Sequence, residues 1–441
     1  IQLWVGFLSI CASYPKANIW IIPSVESPQV YRNYAQTSKV HLEMARGEVE
    51  HIQLVFPSKV NEEYRFTFDR YLKGIQISAR ELKKMNGYYD ALVPFKNQLK
   101  CTDTLTAVWI TVQCPSRVPV GKYHQTIKIE GSKHFTIQLD YNVHHTTIPL
   151  KSSIPITVGV ENRCMTECLN DKEADKERQR WVDFVLSYRM TPVFGTQITP
   201  ERWQYEHSFS PWAWNDKRSI RLLNDRRYSC YMLPFFTLSE NELASLLCNI
   251  QKKGKLKESL FYIWDEPAYM EDYEQIKRKV NIIRKYASDA RILTTFFCGP
   301  RNGPRKGDLY AVFDYLKHHI HVATISLAPC KGNEEEVQHI RYKVPEGIDW
   351  WSYVCWQPGG NEPNFLLQMK GIQQRAIMWR TWKNGSQGFL YWNCNIYHKR
   401  NPFTYITDMP HGDGILIYPG DILGCKGPIA SARLERWRDG A

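Results

Sequence analysis

The fold is decided by residues 260–267, which read Leu260-Phe261-Tyr262-Ile263-Trp264-Asp265-Glu266-Pro267. An uninterrupted apolar run of this length is typical of a strand buried on both faces, as in a parallel sheet. The run ends in two acids followed by a proline, so the polar side chains begin where the strand stops. In parallel α/β folds this carboxyl end of a strand is where functional groups collect.

The segments on either side of this stretch alternate between helix and strand. Residues 239–251 and 271–286 carry apolar side chains at three- and four-residue spacing, the pattern of a helix with one buried face. Further short apolar runs stand at 154–158, 291–297, 322–327, 350–354 and 388–392. The alternation predicts parallel strands joined by crossover helices. Roughly 290 residues after Pro149 suit an α/β fold of the (β/α)8, or TIM-barrel, type.

Residues 18–150 show a different pattern, in which apolar and polar side chains alternate over short runs. Examples are 51–56, 107–112 and 124–129, and turn residues separate such runs. A period of two predicts half-buried strands, and several at this spacing indicate an antiparallel β-sandwich. We therefore expect a sandwich domain at 18–150 and a (β/α)8 domain at 151–441, preceded by a signal-peptide remnant at 1–17.

The charge of the chain invites a nucleic-acid interpretation that the pattern of residues does not favour. The chain has 441 residues, with 57 basic and 45 acidic side chains and a net charge of +12. Its densest basic runs, 252–257 and 301–306, lie beside predicted helices, without a zinc-finger, helix-turn-helix or RNA-binding signature. A solvated basic surface is the favoured interpretation. We expect neither a nucleic-acid partner nor a membrane span, since no apolar stretch approaches roughly 18 residues.

The location of the protein is inferred from its first residues. Residues 3–12 are apolar and small residues follow, as in a signal peptide, which predicts a secreted or lysosomal protein. The 12 cysteines are compatible both with disulfides and with buried thiols.

Aromatic residues make up 13% of the chain and recur at predicted strand ends. The runs 350–356 and 391–395 carry Trp, Tyr and Asn side chains there, as 260–267 carries Tyr and Trp. Aromatic faces stack on the C–H faces of sugar rings, while Tyr hydroxyls and Asn amides reach sugar hydroxyls. Each ring taken alone is explained better by packing inside a barrel than by stacking on a sugar. The three strand ends together favour a carbohydrate cleft.

Asp265 and Glu266 have two interpretations. Paired carboxylates in an aromatic cleft suit glycoside hydrolysis, where one is protonated and the other ionised. Adjacent strand residues point in opposite directions, so the turn before Pro267 would have to bring both to the barrel mouth. Alternatively, Asp265 caps the following helix and Glu266 supports it. Spacing alone leaves both open.

A series of short motifs runs through the chain in a fixed order. They are Arg189-Met190-Thr191-Pro192, Tyr262 to Pro267, Trp350 to Cys355, Arg375 with Trp379, Trp382 and Lys383, Gly388 to Trp392, Gly412-Asp413-Gly414, Tyr418-Pro419-Gly420, and 431–440. In this order and spacing the chain resembles glycoside hydrolase family 123, the β-N-acetylgalactosaminidases, over most of residues 19–440.

The resemblance implies a retaining exo-β-N-acetylgalactosaminidase with substrate-assisted catalysis, acting on glycans or glycolipids that end in β-linked N-acetylgalactosamine (GalNAc). The sugar's own 2-acetamido oxygen would attack the anomeric carbon. Glu266 would be the general acid and later the base, and Asp265 would orient the acetamido nitrogen and stabilise the oxazolinium-like intermediate. No metal or organic cofactor is implied.

The resemblance also extends to the substrate-binding residues. Tyr353, Trp392 and Trp351 would shape the acetamido pocket. Asn393, Arg375 and Asp413 are weaker candidates, for contacts to hydroxyls or for support. A further acidic, tyrosine-rich helix would follow residue 441, so the barrel is expected to lack its last helix within this chain.

Two alternatives remain at this point, a catalytically silent carbohydrate-binding protein and a broader β-N-acetylhexosaminidase. The intact Asp265-Glu266 pair favours an enzyme, because a binding module needs no acid pair. Binding of acidic glycans to the basic surface is compatible with either. The choice between GalNAc and N-acetylglucosamine (GlcNAc), the natural aglycone and the oligomeric state do not follow from the sequence.

Overall fold

The computed structural model describes residues 18–69, 74–199, 204–328, 334–397, 399–402 and 409–441. The expected signal-peptide remnant at 1–17 lies outside the described residues. No helix among the described residues is long and apolar enough to cross a membrane. The structure describes ten cysteines, and all ten are free thiols.

The N-terminal region consists of two five-stranded sheets. Its strands are β1 (Trp20–Pro23), β2 (Lys39–Arg46), β3 (Val49–Pro57), β4 (Glu63–Phe68), β5 (Gln76–Met85), β6 (Tyr88–Pro94), β7 (Gln98–Lys100), β8 (Leu105–Gln113), β9 (Gly121–Glu130) and β10 (His134–Thr147). Their orders are β1-β3-β8-β5-β6 and β2-β10-β9-β4-β7. The prediction of antiparallel sheets is confirmed, except that β2 and β10 pair in parallel.

The burial of these strands explains their sequence patterns. On β9, Ile127 and Ile129 alternate with more exposed residues because only one face of the second sheet meets the shared core. The first sheet is covered on both faces. On β3, Leu54 faces the second sheet while Val55 packs with the helical region, so β3 has an almost continuous buried run.

The C-terminal region alternates strands and helices. Its strands are β11 (Ile156–Glu161), β12 (Thr191–Thr199), β13 (Gln204–Ser208), β14 (Tyr231–Met232), β15 (Ser259–Trp264), β16 (Arg291–Phe296), β17 (Val322–Ser326), β18 (Asp349–Val354), β19 (Gly388–Tyr391), β20 (Ile417–Pro419) and β21 (Pro428–Ala430). Its helices are α1 (Asn162–Thr166), α2 (Asp171–Ser187), α3 (Lys217–Leu222), α4 (Glu240–Lys252), α5 (Met270–Tyr286), α6 (Ala311–Leu316), α7 (Glu334–Lys343), α8 (Gly371–Lys383) and α9 (Ala432–Gly440).

Strands β11 to β19 form one nearly closed sheet, in the order β13-β12-β11-β19-β18-β17-β16-β15-β14. Every ladder is parallel except that between β12 and β13. Because β11 pairs with β19, the sheet curls back on itself. No strand ladder joins β12 to β14 among the described residues, where the Phe209 N–H donates to the Met232 carbonyl oxygen at 2.6 Å. The predicted parallel strands and crossover helices are confirmed, and the closure of the sheet is partial.

The curled sheet has its own apolar filling. Inward side chains form a cluster made of Val193, Cys230, Met232, Leu260, Tyr262, Leu293, Val322, Trp351, Tyr353, Cys355 and Leu390. Their neighbours in sequence, such as Phe261 and Phe389, belong to the larger core between sheet and helices. The two-residue period of a strand therefore decides which side chains reach the interior.

Buried charges join the two regions. Arg433 on α9 forms an ion pair with Asp90 on β6 at 2.9 Å, with both side chains almost fully buried. The same guanidinium donates to the carbonyl oxygens of Phe365, Gly412 and Ile415. A buried charge is tolerated when its donors are satisfied in this way, so α9 is anchored to the N-terminal sheets.

Candidate active site

Both acids that follow β15 face the mouth of the curled sheet, and a β-bulge is one reason. The register of β15 against β16 slips between Tyr262 and Trp264. As a result, Ile263 and Trp264 both pack on the outer core, while Tyr262 lies inside. Asp265 then returns to the inner side, where the Tyr262 hydroxyl donates to Asp265 Oδ1 at 2.7 Å.

A left-handed turn at Glu266 is the second reason. Its φ of 45° is uncommon for a residue with a side chain and costs roughly 1–2 kcal/mol. The turn directs Glu266 to the same side as Asp265, and its N–H donates to Thr295 Oγ1 at 3.0 Å. Strained backbone of this kind is often found at functional sites.

The alternative role of these acids in helix capping is not supported. Helix α5 begins at Met270, whose N–H donates to Asn302 Oδ1 at 2.8 Å, and the N–H groups just before the helix are satisfied by Asp272. The Asp272 carboxylate accepts from the N–H groups of Ala268 at 2.8 Å and Tyr269 at 2.9 Å. Asp265 and Glu266 are therefore free of that function.

Asp265 is held by two hydroxyl groups. Tyr262 and Thr295 each donate to its Oδ1 at 2.7 Å. Its Oδ2 has no hydrogen-bond partner among the described residues. The carboxylate therefore has a fixed orientation and one oxygen available to accept a hydrogen bond from a ligand.

Glu266 has the environment of a general acid. The Tyr353 hydroxyl donates to its Oε1. Although the residue as a whole is exposed, desolvation of its carboxyl group, and secondarily the negative charge of Asp265, raises the pKa of Glu266 to about 7, against the opposing effect of the Tyr353 bond. At neutral pH Glu266 is therefore partly protonated beside a second carboxylate, and such an acid can both give and take a proton, as general acid–base chemistry requires.

Trp392 and Asp413 form one unit beside these acids. The half-buried Trp392 packs against the inner cluster that contains Tyr353. Its indole N–H donates to Asp413 Oδ1 at 3.0 Å, and Tyr391 donates to the same oxygen at 3.2 Å. Burial raises the pKa of Asp413 to about 6. Asp413, a candidate for contacts to hydroxyls or for support, holds the indole of Trp392 in place.

Trp351 does not lie where the pocket role requires. It is inward-facing but only 2% exposed. A Cβ at Gly388 would lie 2.4 Å from its ring, so the indole fills the space above that glycine. Trp351 therefore fills the interior of the curled sheet and has no face free for a sugar.

Arg375 and Asn393 are the other candidates for contacts to hydroxyls or for support. Arg375 lies on α8, where its charge acts on Glu48 and Glu50 of the N-terminal region. It lies at the junction between the two regions, and its contact to substrate hydroxyls stays a prediction. Asn393 is 5% exposed and accepts from the N–H of Asn395 at 3.0 Å, so it shapes the loop after β19.

Two further polar residues, Glu161 and His207, lie at the mouth and are not among the candidates that the sequence indicated. Glu161 ends β11 and is only 3% exposed, and burial raises its pKa to about 7. His207 on β13 stacks on Tyr262 with ring centroids 4.3 Å apart and an interplanar angle of 12°. An acid directly after an apolar run is a signal that could have found Glu161. No comparable signal exists for His207.

Metal binding has no candidate site in the described part of the chain. No group of three or more His, Cys, Asp or Glu side chains there is arranged to hold an ion.

Solved structures were compared with the whole chain. It is similar to a family 123 glycoside hydrolase from Clostridium perfringens that hydrolyses glycolipid glycans, with a TM-score of 0.65 and 14% identity over 96% of this chain and 86% of that chain. A family 5 xyloglucanase from Bacteroides ovatus reaches a TM-score of only 0.31 at 10% identity, over 91% of this chain and 98% of that chain. The first likeness shows a shared fold.

Family membership follows from the sequence. No curated protein matches the chain. The family model of the glycoside hydrolase 123 catalytic domain matches residues 176–441, more than half of the chain and the whole of the site described above except Glu161. The chain therefore belongs to the glycoside hydrolase 123 family and is a glycoside hydrolase.

Proposed function

We propose that the protein is a retaining exo-β-N-acetylgalactosaminidase in which the 2-acetamido group of the substrate is the nucleophile. The observation that carries this proposal is the placement of Asp265 and Glu266. A pair that supplies both acid and nucleophile stands about 5–5.5 Å apart with the scissile bond between the two groups. Asp265 and Glu266 are adjacent and face the same side, so they suit a different division of catalytic roles. One acid transfers the proton, and the other stabilises the substrate's own nucleophile.

The steps follow from the contacts of the two acids. Protonated Glu266 donates to the glycosidic oxygen while the acetamido oxygen attacks the anomeric carbon, and the aglycone leaves. The free Oδ2 of Asp265 accepts from the acetamido N–H and stabilises the positive charge of the oxazolinium ion. Ionised Glu266 then takes a proton from the water that opens this ring. Two displacements leave the anomeric configuration unchanged.

The walls of the proposed acetamido pocket are Tyr353 and Trp392. Tyr353 is fixed by its bond to Glu266, and Trp392 by Asp413. We infer that the nearly closed sheet is a (β/α)8 barrel, in which such groups collect at the carboxyl ends of strands. The glycolipid glycans hydrolysed by the Clostridium perfringens relative support glycans or glycolipids as substrates. Secretion or a lysosomal location stays a prediction.

The test of this function is a paired assay with the 4-nitrophenyl glycosides of β-GalNAc and β-GlcNAc. We expect the GalNAc glycoside to be cleaved faster, with the β-anomer of the free sugar appearing first by NMR. Equal cleavage of both would favour a broader β-N-acetylhexosaminidase. Binding of the sugars without cleavage of either would favour the carbohydrate-binding alternative.

The pH profile should report the proton on Glu266. Since the protonated form is required and its pKa is raised to about 7, kcat/KM should fall about tenfold per pH unit above that value. Tyr353→Phe removes the donor that stabilises ionised Glu266, so the midpoint should move to higher pH. Asp265→Asn removes the negative charge that raises this pKa, so the midpoint should move to lower pH. Shifts in the same direction, or no shift, would contradict the assignment.

A further inference from the structure

A glycine separates two polar side chains at the mouth of the sheet. In the parallel ladder Glu161 on β11 is the partner of Gly195 on β12. In the antiparallel ladder Gly195 is the partner of His207 on β13. Two strand spacings therefore separate the backbones of Glu161 and His207, which is about 10 Å. No side chain rises from the residue between them.

All three residues face the interior of the sheet. On β11, Val158 and Val160 pack on the outer core, so the alternating position of Glu161 is inward. A Cβ on Gly195 would lie 3.8 Å from Glu161 Oε2 and 3.5 Å from the ring of Tyr205. His207 is inward because its ring stacks on Tyr262. The gap is the space above Gly195, which has Glu161 on one side, His207 on the other and the Tyr205 ring along its edge.

Each side of this gap has a polar atom without a partner. Glu161 Oε2 and His207 Nδ1 are buried and make no hydrogen bond with the described residues. Buried polar atoms of this kind are rare and call for an explanation. Burial raises the pKa of Glu161 to about 7 and lowers that of His207 to about 3. A neutral imidazole and a carboxyl that is partly protonated at neutral pH can each donate or accept.

The gap is connected to the catalytic acids. His207 stacks on Tyr262, and Tyr262 donates to Asp265. On the other side, the backbone of Glu161 is held at both its N–H and its carbonyl by the buried side chain of Asn395. The acid therefore has a rigid support and lies at the same end of the sheet as Asp265.

We propose that Glu161 and His207 form a pocket that binds one hydroxyl group of the sugar whose glycosidic bond is cleaved. This inference rests on the proposed function and adds residues that select the sugar. A sugar hydroxyl both donates and accepts, which matches the two unpartnered atoms. A pocket built for a hydroxyl rejects analogues that lack it, because its own buried groups then stay unpaired.

The competing explanation for Glu161 is purely structural. Its Oε1 accepts from the N–H of Arg163 at 3.3 Å and so caps the short helix α1. That bond occupies only one carboxyl oxygen and leaves Oε2 unexplained. Glu161→Gln keeps an oxygen for the cap and changes the group that faces the gap, so it separates the two roles.

The experiment compares 4-nitrophenyl β-GalNAc with its 3-, 4- and 6-deoxy analogues. The wild type should cleave one analogue about 10²-fold less efficiently than the parent. Glu161→Gln should reduce kcat/KM for the parent substrate about tenfold, yet change kcat/KM for that analogue little. His207→Phe, which keeps the stacked ring, should behave in the same way. Equal losses on parent and analogue would mean a structural role and would overturn the pocket.

A control and a binding measurement complete the test. Ser239→Ala removes the cap of α4, which is bonded to Glu242 and lies outside the gap; it should leave the ratio of parent to analogue unchanged. Binding of free GalNAc and its deoxy analogues, measured by calorimetry, needs no turnover. Wild-type binding that Glu161→Gln selectively weakens would support the pocket even if no glycoside is cleaved. Binding that is unaffected by both variants would overturn the pocket while leaving the proposed hydrolysis intact.

Discussion

Glu266→Gln is expected to reduce kcat for an aryl β-N-acetylgalactosaminide by about 10²–10⁴-fold, the range for loss of a general acid–base group. An amide has the shape of the acid but can neither deliver a proton to the leaving oxygen nor take one from water. The hydrogen bond from Tyr353 can still be accepted by the amide oxygen. Binding of GalNAc should therefore be largely retained, as calorimetry would show.

The matched control for this prediction is Glu274→Gln on α5, where an exposed acid pairs with Lys277. That variant should keep wild-type kcat, because surface ion pairs contribute little and this one touches no substrate. The rate of glycosidic-bond cleavage should fall less in Glu266→Gln when the leaving group of the substrate can depart without protonation. Hydrolysis at the wild-type rate would show that Glu266 is not the acid.

Replacement of the substrate's 2-acetamido group by a hydroxyl should lower kcat/KM by at least about 10³-fold. An attached nucleophile held in place can have an effective concentration of 10⁵–10⁸ M, and the hydroxyl cannot form the oxazolinium ring. The measurement compares the 4-nitrophenyl glycosides of β-GalNAc and β-galactose at equal enzyme concentration.

Asp265→Asn distinguishes substrate assistance from simple loss of binding. The variant should lower kcat for the acetamido substrate, because the amide leaves the positive charge of the intermediate without its stabilising carboxylate. It should have little further effect on the residual cleavage of the hydroxyl substrate, which forms no such intermediate. Efficient cleavage of β-galactosides by the wild type would argue against the mechanism.

Much of the fold could be predicted because it depends on local periodicity. The apolar run at 260–264 and the helical pattern at 271–286 are β15 and α5 within a residue of their observed bounds. The acids after β15 were also visible as an interruption of a buried strand. Whether these acids cap a helix could not be predicted, because Asp272 takes that role and its contacts depend on where α5 begins.

The surroundings of two candidate residues could not be predicted from local patterns. Trp351 and Tyr353 have the same strand parity and both face inward, but Trp351 lies over Gly388 and is enclosed. Arg375 belongs to a motif that resembles the family, yet its helix carries it to the junction with the N-terminal sheets. How deeply a side chain lies inside the curled sheet, and which element a helix packs against, depend on the register between strands that are distant in sequence. No local sequence pattern reports that register.

The sequence by itself determined the strand and helix order, the acid pair at the end of β15 and the family resemblance. These follow from periodicity and from residues adjacent along the chain. Only the tertiary structure decided that a bulge and a left-handed turn direct both acids inward and that Tyr353 and Thr295 hold them. It also decided that Gly195 lies between Glu161 and His207 in the sheet. Those relations join residues far apart in sequence, and packing alone brings them within reach.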